Sequence, residues 1–311
     1  MNHDASVKNI LDERVFSMAS FRSSILRFLI RKTVNWNKSF VEIRTDLERL
    51  NKKADIPQNI KVQSVSAGGV KAELIEPEGA PSDKIVIYLH GGGYCLGIVN
   101  TNRGFVAKIA AGTGLKTLLV DYRLAPENPF PAAIEDVITA YRWLLSKGHL
   151  SRNMIFVADS SGCGLCLAAL MSLRDDKVSM PAAMAFISPM VDLAGTGESF
   201  VTRKDVDPFQ YLDPLCIIKN YIGDNDPMLP VLSPLFGDLQ GLPPILIHAS
   251  DYDVFLSDAV RLAEKASESG IEVNLKIWDR MWHIFHMNAN LLPEAKTALE
   301  EIFAYIKNKI G

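Results

Sequence analysis

The chain has few of the features that mark a disulfide-linked, metal-binding or secreted protein. Its 311 residues include four cysteines, Cys95, Cys163, Cys166 and Cys216, and these form no disulfide framework of the secretory kind. Cys163 and Cys166 have the spacing of half a zinc site, but the second pair that such a site needs is missing. We therefore expect no metal and no other cofactor, and we expect these cysteines to be small, buried packing residues.

Basic runs and long apolar runs are also missing. The formal net charge is −3, and no cluster of Lys and Arg makes a groove that follows a phosphate backbone, which argues against a nucleic-acid partner. No segment approaches the length of a membrane-spanning helix, and Met1–Asp4 lacks the basic and apolar character that begins a signal peptide. The expectation is a cytoplasmic protein without stable insertion into a membrane.

The chain does have enough apolar sequence for one large core. Hydrophobic residues make up 48% of it, and there is no internal repeat or low-complexity tract. From about residue 61, short β-rich runs alternate with helical patterns, which predicts right-handed crossovers and a mostly parallel sheet. Strands are expected at 85–89, 118–121, 182–187, 244–249 and 273–278, and helices at 132–145 and 257–269.

The most informative segment is an apolar run, Ile155–Asp159, that ends abruptly at Ser160 among small residues. This pattern is typical of a strand that turns sharply into a helix, where the tight turn lifts a serine oxygen above the sheet and makes it a nucleophile. The usual Gly-x-Ser-x-Gly is present as Ala158-x-Ser160-x-Gly162, with one extra methyl at a crowded point. The alternative is a structural serine that caps the following helix.

A second motif, His90–Gly93, follows the buried-strand pattern Ile85–Leu89. Its three glycines expose backbone N–H groups, and preorganised donors of this kind can each stabilise the oxyanion of acyl transfer by roughly 3 kcal/mol. A phosphate cradle is excluded because no Gly-Lys-Ser/Thr follows, and a dinucleotide site is excluded because the Gly-x-Gly-x-x-Gly spacing is missing. A plain flexible turn is the remaining alternative.

These motifs together resemble the bacterial hormone-sensitive-lipase-like esterases of the α/β-hydrolase superfamily. The second signature of that family is matched almost residue for residue by Asp121–Glu127, Phe130–Ala133 and Asp136. At the elbow the family carries Gly-Asp-Ser-Ala-Gly, where this chain has Ala158–Gly162 with Ser161 in place of the alanine. The resemblance runs from about residue 85 to the C-terminus. The motifs that carry it outside the elbow are His90–Gly93, Asp121–Glu127, Phe130–Ala133 and Asp136.

The resemblance implies an α/β-hydrolase fold, with a mostly parallel central sheet, helices on both faces and a small helical cap. Residues 61–311 would form the catalytic domain and residues 1–60 the N-terminal cap helices, with 192–227 contributing to the cap. Relatives commonly pair through a sheet edge, which leaves a homodimer open. The implied oxyanion donors are the backbone N–H groups of Gly92, Gly93 and Ser161.

A serine nucleophile needs a base within hydrogen-bond reach and a third group that orients the base. In this fold the chain order is serine, acid, histidine. A buried-strand pattern ends just before Asp251 and Asp253, where active sites form in such sheets. The resemblance favours Asp253 as the acid, because Asp253–Phe255 resembles the family's acid-x-Leu pattern before a helix, and Asp251 is its competitor. The family places its catalytic histidine in a His-x-Phe context, which His283–Phe285 matches, so the resemblance implies His283 as the base, with His286 as a bystander. The histidines interpreted as solvated or structural are His3, His90, His149 and His248.

The first sixty residues match the family poorly, but they carry an amphipathic pattern. Between Val15 and Val34, apolar residues recur at helical spacing beside basic ones. The resemblance favours a cap helix over the active site, and a helix that binds a membrane surface is the alternative. Residues 35–60 are expected to hold a second amphipathic helix and a linker. The segment 192–227 is expected to be an irregular insertion that joins the cap, where both segments shape the acyl and alcohol pockets.

The sequence therefore predicts a metal-independent serine carboxylesterase that acts through an acyl-enzyme. The resemblance and its compact cap favour small, short-chain acyl esters as substrates. Hydrolysis of lactones or of acetylated metabolites by the same residues is the alternative, and a lyase or dehydratase on this scaffold is a third possibility. Some relatives are ligand receptors that have lost the catalytic histidine, and the presence of His283 argues against that interpretation.

Overall fold

Nine strands form one sheet in the part of the chain that the computed structural model describes, residues 14–15, 20–32, 42–46, 54–97, 100–209 and 214–311. Their order across the sheet is β1-β9-β8-β7-β6-β4-β5-β3-β2, where the strands are β1 (Arg14–Val15), β2 (Ile60–Ala67), β3 (Val70–Pro77), β4 (Ile85–Leu89), β5 (Lys116–Val120), β6 (Met154–Asp159), β7 (Ala183–Ile187), β8 (Ile245–Ser250) and β9 (Val273–Trp278). From β1 to β5 in this order every neighbouring pair is parallel, whereas β3 runs antiparallel to both β5 and β2.

Helices connect the parallel strands. They are α1 (Phe21–Ile30), α2 (Asn100–Thr113), α3 (Ala132–Ser146), α4 (Ser161–Asp175), α5 (Ser199–Thr202), α6 (Pro214–Ile222), α7 (Leu256–Glu268) and α8 (Pro293–Ile310). Residues 42–46 are also helical, and short 3₁₀ turns lie at Ser151–Asn153, Pro234–Phe236 and Phe285–Asn288.

The central strands are buried on both faces because their side chains alternate between two layers of helices. Along β4, Ile85, Ile87 and Leu89 belong to a core shared with α3, α4 and α7. The intervening Val86 and Tyr88 belong to a second core, shared with α2 and α8 on the opposite face. Burial on both faces explains why these strands are continuous apolar runs in the sequence. The predicted α/β architecture, a mostly parallel sheet with helices on both faces, is confirmed.

The element boundaries lie within two residues of the sequence-based ones, but two expectations were wrong in part. The segment 192–227 is not irregular throughout, because it contains α5 and α6. Ile218 and Tyr221 of α6 are buried in the main core, so tertiary contacts stabilise a helix that the local sequence pattern does not predict. Arg14–Val15, at the start of the predicted N-terminal helix, is instead a strand paired with the edge of β9.

The helix α1 lies against the segment that follows α5. Arg27 Nη1 donates to the carbonyl oxygen of Val206 at 3.4 Å, and Arg31 Nη2 donates to that of Asp205. The N-terminal helix and the insertion therefore touch, as a shared cap requires. The limits of the cap at residues 60, 192 and 227 stay a prediction, and most of the second helix expected in 35–60 lies outside the described residues.

The opposite side of α1 faces solvent. Its exposed apolar side chains are Phe21, Ile25, Phe28 and Leu29. Within the described ranges no helix is long and apolar enough to cross a bilayer. Binding of α1 to a membrane surface stays a prediction.

Candidate active site

Ser160, Asp253 and His283 lie on loops at the carboxyl ends of β6, β8 and β9. His283 Nε2 is 3.0 Å from Ser160 Oγ, and His283 Nδ1 is 3.1 Å from each carboxylate oxygen of Asp253. All three side chains are buried. The structure therefore brings together the three residues predicted from the sequence, in the order nucleophile, base and orienting acid that acyl transfer requires.

The turn at Ser160 is as sharp as the sequence pattern predicts. Ser160 has φ 51° and ψ −123°, a left-handed backbone that a residue with a side chain adopts only under strain. Its neighbours have no room for side chains: a Cβ on Gly162 would lie 2.3 Å from the carbonyl oxygen of Leu89, and one on Gly91 would lie 2.4 Å from Asp159 Oδ2. The Ser160 side chain makes no capping hydrogen bond to α4, so the helix-cap interpretation is wrong.

Ala158 replaces the first glycine of the elbow motif without disturbing the turn. It is fully buried within β6, where it pairs with Leu89 of β4 and Phe186 of β7. Its methyl group belongs to the core shared with the helices α3, α4 and α7. The extra methyl is therefore part of the packed core.

The glycine loop lies directly beside Ser160. A Cβ on Gly91 would lie 2.8 Å from Ser160 Cβ, so the loop and the elbow are in close contact. Gly92 and Gly93 have φ of 112° and 61°, a region that favours glycine, and a Cβ on Gly92 would lie 2.6 Å from the carbonyl oxygen of Leu96. Gly91 and Gly92 thus allow close approach, and Gly93 allows a positive φ, which a plain flexible turn does not require.

The hydroxyl of Ser161 changes the resting state of this loop. The N–H of Gly93 donates to Ser161 Oγ at 2.9 Å. One of the predicted oxyanion donors is therefore already paired in the free protein. Sequence reasoning placed a hydroxyl next to the donor, but the bond itself depends on how the two loops approach each other.

The charge around His283 favours its protonated form. Burial lowers the pKa of His283, but the negative charge of Asp253 and its hydrogen bond to the ring outweigh burial, and Asp207 and Asp159 add to them, so the pKa is raised above its ordinary value. An imidazole whose cation is stabilised is a stronger base toward the serine proton. The arrangement suits general-base catalysis.

Asp159, within the elbow, joins the nucleophile turn to the neighbouring strand. Tyr88 of β4 donates its hydroxyl to Asp159 Oδ1 at 2.5 Å. Burial raises the pKa of Asp159 to about 6, against the opposing effect of hydrogen bonds from Tyr88 and from the backbone of Gly91. The contact fixes the elbow relative to the glycine loop.

The competing acid and the second histidine lie elsewhere. Asp251 is part-exposed and accepts from Arg203, whose Nε also donates to the Asp251 carbonyl oxygen at 2.8 Å. His286 is buried and lies 3.2 Å from Nδ1 of His248 through its Nε2. Burial lowers the pKa of His248 to about 3 and that of His286 well below its ordinary value, so this pair is neutral. His286 is thus separate from the Ser160 site, as expected of a bystander.

Two contributors escaped the sequence-based search. Asp207 is a buried carboxyl close enough to His283 to raise its pKa. Arg44, in the short helix at 42–46, donates from Nε to the carbonyl oxygen of Cys95 at 2.6 Å, just past the glycine loop. Neither residue belongs to a local motif, because each acts through contacts between segments far apart in the chain.

Comparison with known proteins places the chain in a family. A model of the α/β-hydrolase fold matches residues 86–287. An acetyl-hydrolase of Streptomyces hygroscopicus is 35% identical over 298 residues, which cover 94% of this chain and 99% of that protein. This confirms the α/β-hydrolase fold that the motifs imply.

Solved structures agree. An esterase of the bacterial hormone-sensitive lipase family is 37% identical, with a TM-score of 0.90 over 94% of this chain and 99% of the other. The esterase EstE5, in a crystal soaked with p-nitrophenyl butyrate, is also 37% identical, with a TM-score of 0.89 and the same coverage. The chain therefore belongs to the bacterial hormone-sensitive-lipase-like esterases of the α/β-hydrolase superfamily and is a carboxylic ester hydrolase.

Proposed function

We propose that this enzyme is a serine carboxylesterase that hydrolyses short-chain acyl esters through Ser160, His283 and Asp253. The observation that carries the proposal is the unbroken line of hydrogen bonds from Ser160 Oγ through both ring nitrogens of His283 to Asp253, with 3.0 and 3.1 Å between the heavy atoms. Acyl transfer needs all three groups in this order.

In the first half of the reaction, His283 Nε2 takes the proton from Ser160 Oγ as the oxygen attacks the ester carbonyl carbon. Asp253 accepts the Nδ1 proton of the ring in a hydrogen bond, holds the ring in this tautomer and stabilises the imidazolium that forms. The imidazolium then gives its Nε2 proton to the leaving alkoxide, and the alcohol departs from an acyl-enzyme on Ser160.

In the second half, water takes the place of the alcohol. His283 Nε2 accepts a proton from water as its oxygen attacks the acyl carbon, and it returns the proton to Ser160 when the acid leaves. In both halves, the backbone N–H groups of Gly92, Gly93 and Ser161 are the proposed donors to the oxyanion.

The preference for short acyl groups is supported by the burial of the candidate site and by the names of similar proteins. Ser160 and His283 are only 7% and 6% exposed, so the ester must enter a site that protein largely covers. The Streptomyces relative carries the name acetyl-hydrolase, and the EstE5 crystal was soaked with a butyryl ester. Acetyl and butyryl esters are therefore the first substrates to try, with acetylated metabolites and lactones next.

The proposal is tested by following hydrolysis of p-nitrophenyl acetate, butyrate, octanoate and palmitate in the presence of EDTA. We expect rates that fall as the acyl chain lengthens. Ser160→Ala should lose activity on the order of 10⁵-fold, to near the uncatalysed background, because the nucleophile is gone.

Ser172→Ala is the matched control, since Ser172 lies on α4 and its hydroxyl bonds only the carbonyl oxygen of Ala168, at 3.0 Å. It should hydrolyse butyrate at the wild-type rate. Undiminished hydrolysis by Ser160→Ala would remove Ser160 as the nucleophile, and rates that rise with chain length would overturn the short-chain preference.

A further inference from the structure

A second buried carboxyl group, that of Asp207, lies next to the candidate active site. Asp207 is completely buried and belongs to the segment 203–209, which follows α5. Its Oδ1 accepts the N–H of Phe209 at 2.9 Å, and its Oδ2 accepts the N–H of Val254 at 3.1 Å. One carboxylate thus bridges two segments that are far apart in the sequence.

Both bridged residues adjoin the catalytic pair. Val254 directly follows Asp253, so its N–H belongs to the same peptide unit as the Asp253 carbonyl group. The ring of Phe209 stands edge-on to His283, with centroids 6.0 Å apart and planes at 81°. Asp207 therefore fixes the acid loop on one side and an aromatic wall of the histidine on the other.

Further contacts hold the two segments together. Ser199 Oγ donates to the carbonyl oxygen of Val254 at 2.7 Å, and Arg203 Nε donates to that of Asp251 at 2.8 Å. The helix α5 and the segment 203–209 thus contact both ends of the stretch Asp251–Val254, and Asp253 lies between these contacts. A displacement of this segment would be transmitted to Asp253.

The charges in this cluster act on one another. Burial raises the pKa of Asp207 to about 7, and the negative charge of Asp253 adds to that rise, while His283 opposes it. In the other direction, Asp207 is one of the carboxyl groups that raise the pKa of His283.

The remaining charged or titratable groups near the cluster lie on separate elements. The negative charge of Asp159, in the elbow, helps to raise the pKa of His283, and the charge of His283 helps to lower the pKa of His286, in the turn that follows. Two cations contact the two joined segments: Arg203 contacts Asp251 in the acid loop, and Arg27 donates to the carbonyl oxygen of Val206 in the segment 203–209.

We propose that Asp207 is a positioning residue of this active site: it ties the segment 203–209 to the loop of Asp253 and, when ionised, places a second negative charge beside His283. The inference rests on the proposed roles of Ser160, His283 and Asp253. Asp207 touches no reacting atom. It acts by holding Asp253 and Phe209 in place and by stabilising the imidazolium that forms while Ser160 attacks.

The direct test is an NMR titration of His283 in wild type, Asp207→Asn and Asp205→Asn. Asn keeps one acceptor oxygen but carries no charge, so the His283 pKa should fall by about one unit in Asp207→Asn. Asp205→Asn is the matched control, because it removes an equal charge from an exposed position of the same segment and should leave the His283 pKa within about a tenth of that shift.

Activity supplies the second readout. In Asp207→Asn the acid limb of the kcat/KM profile for p-nitrophenyl butyrate should move to lower pH by the same shift, and kcat should fall about tenfold as the acid loop loosens. KM should change much less, since Asp207 does not contact substrate. An unchanged His283 pKa, or a shift equal to that in Asp205→Asn, would overturn the inference.

Two further outcomes are informative. If Asp207→Asn does not fold, Asp207→Ser, which also removes the charge and keeps one acceptor oxygen, is titrated in its place, and an unchanged His283 pKa in that variant would overturn the inference. If hydrolysis survives in Ser160→Ala while the His283 pKa still shifts in Asp207→Asn, the proposed function fails and the electrostatic link between Asp207 and His283 stands.

Discussion

The hydroxyl of Ser161 is the departure from the family pattern with the most direct chemical consequence. In the family's motif an alanine follows the nucleophile, and it offers no acceptor to the glycine loop. Here Ser161 Oγ accepts a hydrogen bond from the N–H of Gly93 at 2.9 Å. If this N–H is to donate to an oxyanion, it must first give up its bond to Ser161. A hydrogen bond of this kind has a net worth of about 1 kcal/mol.

Replacement of Ser161 by alanine should therefore make the enzyme faster. Without the competing acceptor, the N–H of Gly93 is free for the oxyanion, and we expect kcat/KM for p-nitrophenyl acetate to rise about fivefold. Steady-state kinetics of Ser161→Ala beside Ser172→Ala, the same change elsewhere on α4, measures the effect. A fall in kcat/KM would mean instead that the Ser161 hydroxyl itself donates to the oxyanion.

At single positions, what could be predicted from the sequence depended on how local the signal was. Ser160 lies in a short motif whose shape follows from steric necessity, because Gly91 and Gly162 have no room for a Cβ, and His283 lies in a short His-x-Phe motif. Asp207 has no such signature. Its importance comes from contacts with Phe209 and Val254, which only the folded chain brings together.

Between elements, the clearest link from the N-terminal region to the catalytic sheet is Arg44. Its Nε donates to the carbonyl oxygen of Cys95 and one Nη to that of Ala125, both at 2.6 Å, and the guanidinium pairs with Glu127 at 2.8 Å. Cys95 lies in the turn that Gly92 begins, where the Cys95 N–H donates to the Gly92 carbonyl oxygen at 3.1 Å. The helix at 42–46 thus holds the end of the oxyanion loop.

Loss of this clamp should lower catalysis more than substrate binding. In Arg44→Ala, the loop loses charge-assisted hydrogen bonds worth about 1.5 to 3 kcal/mol each, and we expect kcat to fall about tenfold with KM nearly unchanged. Arg44→Lys should recover only part of the rate, because an ammonium group cannot reach both carbonyl oxygens and the carboxylate in the fixed geometry of a guanidinium.

The control for Arg44 is Arg142→Ala, which breaks an exposed ion pair with Asp176 far from the glycine loop. Exposed pairs contribute about 1 kcal/mol or less, so both kcat and the melting temperature should stay close to wild type. Equal kcat in Arg44→Ala and Arg142→Ala would show that the helix at 42–46 does not support the glycine loop.

The same distinction between local and long-range signals explains the boundaries of the elements. The strand β4, buried on both faces, and the strand β9, which alternates apolar and polar residues, were predicted to the residue because their patterns are continuous or regular. The helix α6 was missed because it is defined by the burial of Ile218 and Tyr221 against a core built from other segments. The two-residue strand β1 exists only through its pairing with β9.

For the folded protein as a whole, different buried ionisable groups have opposite effects on the free energy of unfolding as pH changes. His90 and His248 are buried, and burial lowers their pKa values to about 4 and about 3. The unfolded chain binds protons at these histidines below about pH 6.5 while the folded protein does not, so their contribution to stability is complete above pH 6.5 and is lost as pH falls toward 3. Above pH 6.5 these two groups cause no further change.

Asp258 acts in the opposite sense and over a higher range. It is completely buried at the start of α7, and burial raises its pKa to about 8. Its Oδ2 accepts the N–H groups of Val191 and Asp192 at 2.8 and 3.0 Å, while its Oδ1 has no hydrogen-bond partner among the residues that the structure describes and can carry the proton. Between about pH 4 and pH 8 the folded protein retains a proton that the unfolded chain has released, so stability falls as pH rises through this window.

Asp258→Asn should separate this effect from all others, because an amide keeps the acceptor oxygen for Val191 and Asp192 and cannot ionise. We expect the variant to gain at least about 1 kcal/mol in free energy of unfolding relative to wild type between pH 5 and pH 8, measured by urea denaturation at both values. Asp224→Asn, at an exposed position, is the control and should follow the wild-type curve. If Asp258→Asn also runs parallel to wild type, Asp258 is ionised in the folded protein across this range, and the fall in stability above pH 6.5 must come from Asp207 and His283, whose raised pKa values have the same sign.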